Sequence, residues 1–334
     1  IILYLFRPLT WFSYETAWCI WLGLKLAALG GLLVVWRSTF LRDTDGLLMS
    51  FAVLLGFNGA MPWDICAGNK AIFEQLLLWL GFVALVRGYL WQFSATTVAS
   101  SLFNVTPAAF LSLLLSVQER KRGITVMACA IVVLVLLVAV PYAGRPELLD
   151  SMIHSNMNSG LHGGTDNPTF MALLNDCAYF WPSSFIGLKH VPFMLWALYA
   201  AVIIGFSFRA LMQAVKRGDT VGLLMLAVIT YVVVMPRMML YTYILPIPPA
   251  LLAVHHLFQR FSHRLIAVAV LSFPVRLLFD LPFGEFPSVL SALSPWGLIG
   301  YYSWLLALVL WGLYVTGKVK LPEGKSDEDG IAAV

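Results

Sequence analysis

Apolar runs approaching bilayer length recur from one end of this chain to the other, and no other feature restricts its fold so strongly. A membrane helix needs about 20 predominantly apolar residues. Runs near that length lie at residues 14–36, 46–60, 71–87, 123–142, 191–213, 220–235, 239–258, 264–279 and 296–316. Of the 334 residues 60% are hydrophobic and only 11% charged, and the mean hydropathy is +0.85, far from the balance of a soluble chain. The expected fold class is all-α, a polytopic membrane protein of about nine spans. The expected organisation is one transmembrane helical domain over residues 1–317, an external loop at 143–190, and a disordered, charged cytoplasmic tail at 318–334.

Segment 92–118 does not read as an ordinary span. Asn104-Val105-Thr106-Pro107 interrupts it near the middle, and proline removes a backbone donor and disfavours helix just before it. The reading is a re-entrant hairpin of two half-length helices with Asn104 at the apex. Such irregular backbone is tolerated at membrane depth only inside protein or beside a water-filled cavity. The positive charges support it. With a hairpin here, Arg37, Arg42, Arg87, Arg120-Lys121-Arg122, Lys216-Arg217, Arg260, Arg264, Lys318 and Lys320 all fall on one side, which the positive-inside rule makes cytoplasmic. A single crossing would put Arg87 and every earlier loop on the opposite side.

The net charge of +4 is carried by these short clusters and not by one stripe, so nucleic acid is not an expected partner. Cys19, Cys66, Cys129 and Cys177 share no paired spacing and lie mostly in apolar segments, where buried, inert thiols are expected. His255, His256 and His263 sit beside Arg260 and Arg264 at a helix end, a place for helix-dipole and headgroup contacts, and no metal or other cofactor is expected. Twelve tryptophans and twelve tyrosines read mostly as interface anchors.

Cations on the external side oppose the charge rule, so each needs a local reason. Lys70 follows a glycine turn and starts an apolar run, where a helix N-terminus leaves unpaired N–H groups that, with the cation, suit a phosphate. Arg237 follows Pro236 between two spans and precedes Tyr241 and Tyr243; its fork suits bidentate phosphate binding. The competing roles are snorkelling to headgroups for Lys70 and pinning a headgroup or carboxylate for Arg237. Lys25 within the first span and Arg276 near the end of a late one are further cations that could meet a carboxylate or lipid phosphate.

Four stretches stand in a familiar order. Ala67-Gly68-Asn69-Lys70-Ala71-Ile72-Phe73-Glu74-Gln75 leads into a leucine-rich helix; Ala99-Ser100-Ser101-Leu102-Phe103-Asn104-Val105-Thr106-Pro107 follows; then come Asp166-Asn167-Pro168-Thr169-Phe170 up to Asp176, and Met235-Pro236-Arg237 running into the proline-rich span at Pro246. Together they resemble glycosyltransferase family 87. That resemblance implies a GT-C-like helical bundle in the bacterial cytoplasmic (inner) membrane, active on its external face. It implies transfer of a sugar, with mannose the family guess, from a polyprenyl-phosphate-linked donor to a lipid or glycan acceptor. In such a site Lys70 and Arg237 would hold phosphate, while Asn69, Tyr241 and Tyr243 would orient the substrates. Asn104, Asn167 and Asp176 join the substrate-binding candidates from the second and third motifs.

Two departures from the family pattern carry an alternative. The acidic base of such enzymes lies in the first external loop, and Ile1-Ile2-Leu3 resembles the stretch that follows that loop, so the base is expected upstream of residue 1. Asp64, read as part of an external loop 61–70, is the best carboxylate present. Asn104 stands where the family pattern puts lysine. These departures favour, as the second reading, a non-catalytic membrane subunit of a larger complex, descended from the same family. A transporter ranks third, because no internal repeat and no paired intramembrane charges stand out in the sequence.

Overall fold

A computed structural model describes residues 6–117, 119–143, 147, 151, 167–179, 190–273 and 299–319. Regular structure among the described residues is entirely helical. After a short 3-10 turn at Arg7–Trp11, the helices are α1 (Tyr14–Val35), α2 (Gly46–Cys66), α3 (Ala71–Val86), α4 (Leu90–Ser101), a 3-10 helix at Thr106–Ser116, α5 (Arg120–Ala143), α6 (Phe170–Tyr179), α7 (Val191–Arg217), α8 (Thr220–Val234), a second 3-10 segment at Leu240–Ile244, α9 (Ile247–Leu257), α10 (Phe261–Leu271) and α11 (Tyr302–Val315). Four helices, Tyr14–Phe40 with its π-helical end, Gly46–Cys66, Arg120–Ala139 and Val191–Arg217, are long and apolar enough to cross a membrane. Several shorter apolar helices complete the bundle. The protein is a polytopic helical membrane protein.

Local signals mark the ends. Ser13 caps α1 through its hydroxyl, which accepts from the Thr16 N–H at 3.4 Å; Asp45 caps α2 by accepting from Leu47 at 2.8 Å; Asp219 caps α8 by accepting from Gly222 at 2.7 Å. The long outer helices are apolar outward. On α5, Val132, Val133, Val135 and Leu136 are all about half exposed, and Leu198, Phe206 and Phe208 on α7 are similarly open. In water such a surface would be a liability; against lipid tails it is satisfied.

The expected re-entrant element is present in form. Helix α4 packs along α3, the 3-10 helix at Thr106–Ser116 folds back along α4, and α5 then packs on that 3-10 helix. Two glycines permit the close approach: a Cβ on Gly81 would meet the Thr96 hydroxyl at 2.6 Å, and one on Gly123 would sit 2.1 Å from the Leu114 carbonyl oxygen. The basic connections then gather at one end, where Gly88, Arg122, Gly218 and Asp219 line one small cavity.

Some expectations are corrected. The loop 61–70 is mostly helix, since α2 runs on to Cys66 and leaves only residues 67–70 as a turn. Helix α2 is broken near its middle: Phe57, Asn58 and Gly59 all have left-handed φ (51°, 63°, 71°). The Ser303 hydroxyl donates to the freed Phe57 carbonyl at 3.3 Å, the internal satisfaction that lipid requires. The span 239–258 is also split, into Leu240–Ile244 and α9, by prolines at 246, 248 and 249. Cys19, Cys66 and Cys129 are exposed and only Cys177 is partly buried, because apolar positions on outer helices face lipid as readily as core. Trp36 and Trp79 are fully buried with ring centroids 5.8 Å apart, so these two serve the core and not the interface. Arg276, Asp166, most of the loop 143–190 and the tail beyond residue 319 lie outside the described residues.

Candidate functional site

The turn between α2 and α3 is built from a buried ion pair. Lys25, from the middle of α1, and Asp64, near the end of α2, have fully buried side chains with Nζ and Oδ2 3.0 Å apart. Lys25 also donates to the backbone carbonyl of Asp64. The other carboxylate oxygen, Oδ1, accepts the Ala71 N–H at 3.2 Å, which satisfies one of the open donors at the start of α3. The Asn69 N–H donates to the Asp64 carbonyl at 3.3 Å, and Gly68 turns the chain with φ +66°. Asp64 is thus helical and buried, not part of a solvated loop, and its visible work is to fix the turn that presents Asn69 and Lys70. Lys25 meets a carboxylate, one of the two partners its position allowed.

The hairpin apex forms the second wall. The Ser100 hydroxyl donates to the carbonyl of Glu74 at 3.1 Å, tying the end of α4 to the first turn of α3. Beyond the apex the Asn104 side-chain oxygen accepts the Thr106 N–H at 3.4 Å, and Tyr231, on α8, donates its hydroxyl to Thr106 at 2.6 Å. The apex is therefore held from both sides.

The third wall is residues 235–242, stapled by 167–169. Asn167 accepts the Met238 N–H at 2.8 Å, Thr169 donates to the Pro236 carbonyl at 2.9 Å, and Tyr243 donates to the Pro168 carbonyl at 2.5 Å. Tyr243 is fully buried and stacks on Phe57 at 6.0 Å. Residues 235–239 are not helical, so side chains and a carbonyl from the 167–169 segment supply the partners that order this wall.

These walls enclose a cavity of about 680 Å³. It brings together Asn69, Lys70, Asn104, Arg237 and Tyr241, five residues from three stretches far apart in sequence. Leu137 and Val138 of α5 add an apolar side. The cavity lies at the end of the bundle opposite the basic connections, since α3 starts here and ends at Arg87 while α8 starts beside Arg217 and ends here. The remaining candidates stand behind it: Asp64 beneath the turn, Asn167 and Tyr243 in the staple, and Asp176 on α6, where Tyr301 donates its hydroxyl to the carboxylate. Burial pushes the Asp176 carboxyl above the ordinary aspartate range, and the Tyr301 hydrogen bond pulls against that shift.

Sequence reasoning assigned no individual role to Glu74, Ser101 and Thr106, which stood only within the motif stretches, and none at all to Tyr231; all four line the cavity. Glu74 had a readable signal: it is an acid in an apolar run four residues after Lys70, hence on the same face of a helix. Tyr231 had none, because nothing local distinguishes it from an anchoring tyrosine. Among the described residues no three His, Cys, Asp or Glu side chains cluster as a metal site. The cavity thus joins two cations, one acid, amide and hydroxyl groups, and an apolar flank, a combination suited to an amphiphile with an anionic head.

Comparison with known proteins gives one match. The model of glycosyltransferase family 87 matches residues 1–241. No curated protein and no solved structure matches the chain.

Proposed function

The chain belongs to glycosyltransferase family 87, and from that premise we propose that it transfers a sugar from a polyprenyl-phosphate-linked donor to a lipid or glycan acceptor in the cavity above. The observation that carries this reading is that Lys70 and Arg237, 167 positions apart in sequence, line one cavity with an apolar flank. The donor phosphate binds between the two cations. Asn69, Asn104 and Tyr241 orient sugar and acceptor hydroxyls. Asn167 and Tyr243 support the reaction by holding the wall that carries Arg237, and Asp176 by tying α6, which follows that staple, to Tyr301. Mannose is the first sugar to test; the family resemblance points to the bacterial inner membrane, and the charge distribution favours the external face for the cavity.

Purified protein in proteoliposomes, given labelled polyprenyl-phosphate hexoses and a bacterial polar-lipid extract as acceptor, tests the reading. Lys70→Ala and Arg237→Ala should each lower transfer by roughly 100-fold, the usual size of losing one charge-stabilising group. A wild-type protein that transfers sugar from none of the donors overturns it. The reading of a non-catalytic subunit draws on Asn104, which lines the cavity where the family pattern puts lysine; Asn104→Lys would then leave an inert protein inert.

A further inference from the structure

We propose that Phe57 is a positioning residue for the two cations: the left-handed turn that it opens in α2 sets how far the wall carrying Lys70 stands from the wall carrying Arg237. The inference rests on the phosphate-binding reading above.

Helix α2 cannot run unbroken, because Pro62 lacks an N–H and in a continuous helix its ring would meet the carbonyl of residue 58. The break falls at residues 57–59, where Asn58 and Gly59 are residue types that accept a left-handed backbone. Phe57 is not such a type. With φ 51° it is one of two non-glycine residues in that region among the described residues, and a bulky side chain there persists only when the surrounding structure holds it. Two contacts do so. Its buried ring stacks on Tyr243 with centroids 6.0 Å apart, and its carbonyl accepts the Ser303 hydroxyl at 3.3 Å.

Each wall is tied to one side of this turn. Beyond the break α2 carries Asp64, whose carboxylate and carbonyl accept the Ala71 and Asn69 N–H groups on either side of Lys70. Tyr243, the ring partner, belongs to the staple. The Pro168 carbonyl that takes its hydroxyl lies between Asn167 and Thr169, which hold the Met238 N–H and the Pro236 carbonyl on either side of Arg237. Both cations are thus clasped by backbone hydrogen bonds, and the two clasps meet at the stack of Phe57 on Tyr243. Moving that ring changes the spacing of the cations, and with it their joint grip on one phosphate.

The test is equilibrium binding of two probes, labelled polyprenyl monophosphate and the uncharged polyprenol, to the whole chain in zwitterionic-lipid nanodiscs. Wild type should favour the monophosphate. Phe57→Leu, which keeps an apolar side chain and loses the ring, should weaken monophosphate binding by about 5- to 50-fold, the size of a typical coupling between sites. Ser303→Ala, which frees the Phe57 carbonyl and lies away from the cavity, should weaken it by about three- to tenfold, the worth of one hydrogen bond. Polyprenol binding should stay within about twofold in both variants, and in a Lys70→Ala background neither substitution should cost more than about twofold further, because no cation remains to be placed. Monophosphate binding that stays at the wild-type level, an equal loss towards polyprenol, or a loss that persists without Lys70 overturns the assignment; if Phe57→Leu does not fold, Ser303→Ala decides by the same criteria. A wild type that does not favour the monophosphate sinks the underlying reading, and one that does so with unaffected variants sinks this inference alone.

Discussion

Removing the charge of Lys25 should destabilise the bundle far more than removing both charges of its pair. The two side chains are fully buried and 3.0 Å apart; with an effective dielectric of about 20 their attraction is about 5.5 kcal/mol. Desolvation offsets most of that in the intact pair, but breaking the pair leaves an uncompensated buried charge, at about 3–5 kcal/mol. Lys25→Met strands the Asp64 carboxylate, and Asp64→Asn strands the Lys25 ammonium. The double variant Lys25→Met/Asp64→Asn removes both charges and keeps an amide oxygen for the Ala71 N–H, so it avoids the further loss of about 1 kcal/mol that accompanies a missing cap. Its stability should lie within about 1.5 kcal/mol of wild type, a coupling of several kcal/mol between the two sites. Unfolding in mixed detergent micelles, followed by tryptophan fluorescence, measures each free energy. Single variants that each lose less than about 1 kcal/mol, or a double variant whose loss equals the sum of the singles, would refute the reasoning.

Two further outcomes are expected. Gly123→Ala should lose about 1–3 kcal/mol by overpacking against the Leu114 carbonyl, while Gly30→Ala, with open space around it, should be neutral or gain up to about 1 kcal/mol of helix propensity; melting in detergent reads both, and equal responses would contradict the close approach of α5 to the 3-10 helix. Asp176 has a raised carboxyl in the fold, so its contribution to stability is full below the ordinary aspartate range and is lost as pH rises through the raised value. Tyr301→Phe removes the hydrogen bond that favours the charged form, so the gap in melting temperature between variant and wild type should widen as pH rises through that window; a gap independent of pH would count against it.

The amino-acid sequence by itself determined where many of the helices start. The starts of α1, α2, α3, α7 and α8 fall within a residue of the apolar runs, because the free energy of moving a side chain into lipid adds up locally, residue by residue. The hairpin was legible for the same reason: Pro107 and the distribution of arginines are local facts. Its packing partners were not. Only the tertiary structure brought Lys70, Arg237, Asn104 and Tyr241 to one cavity, set Lys25 against Asp64, and gave Asn167 and Tyr243 to the staple behind the site and not to its surface. Such pairings depend on how helices cross and rotate against one another, which side-chain packing decides and hydropathy cannot encode. Glu74 shows the boundary most clearly: its position in an apolar run marked it as costly to bury, but only the hairpin apex and residues 237–242 closing around it placed that buried acid on the cavity wall.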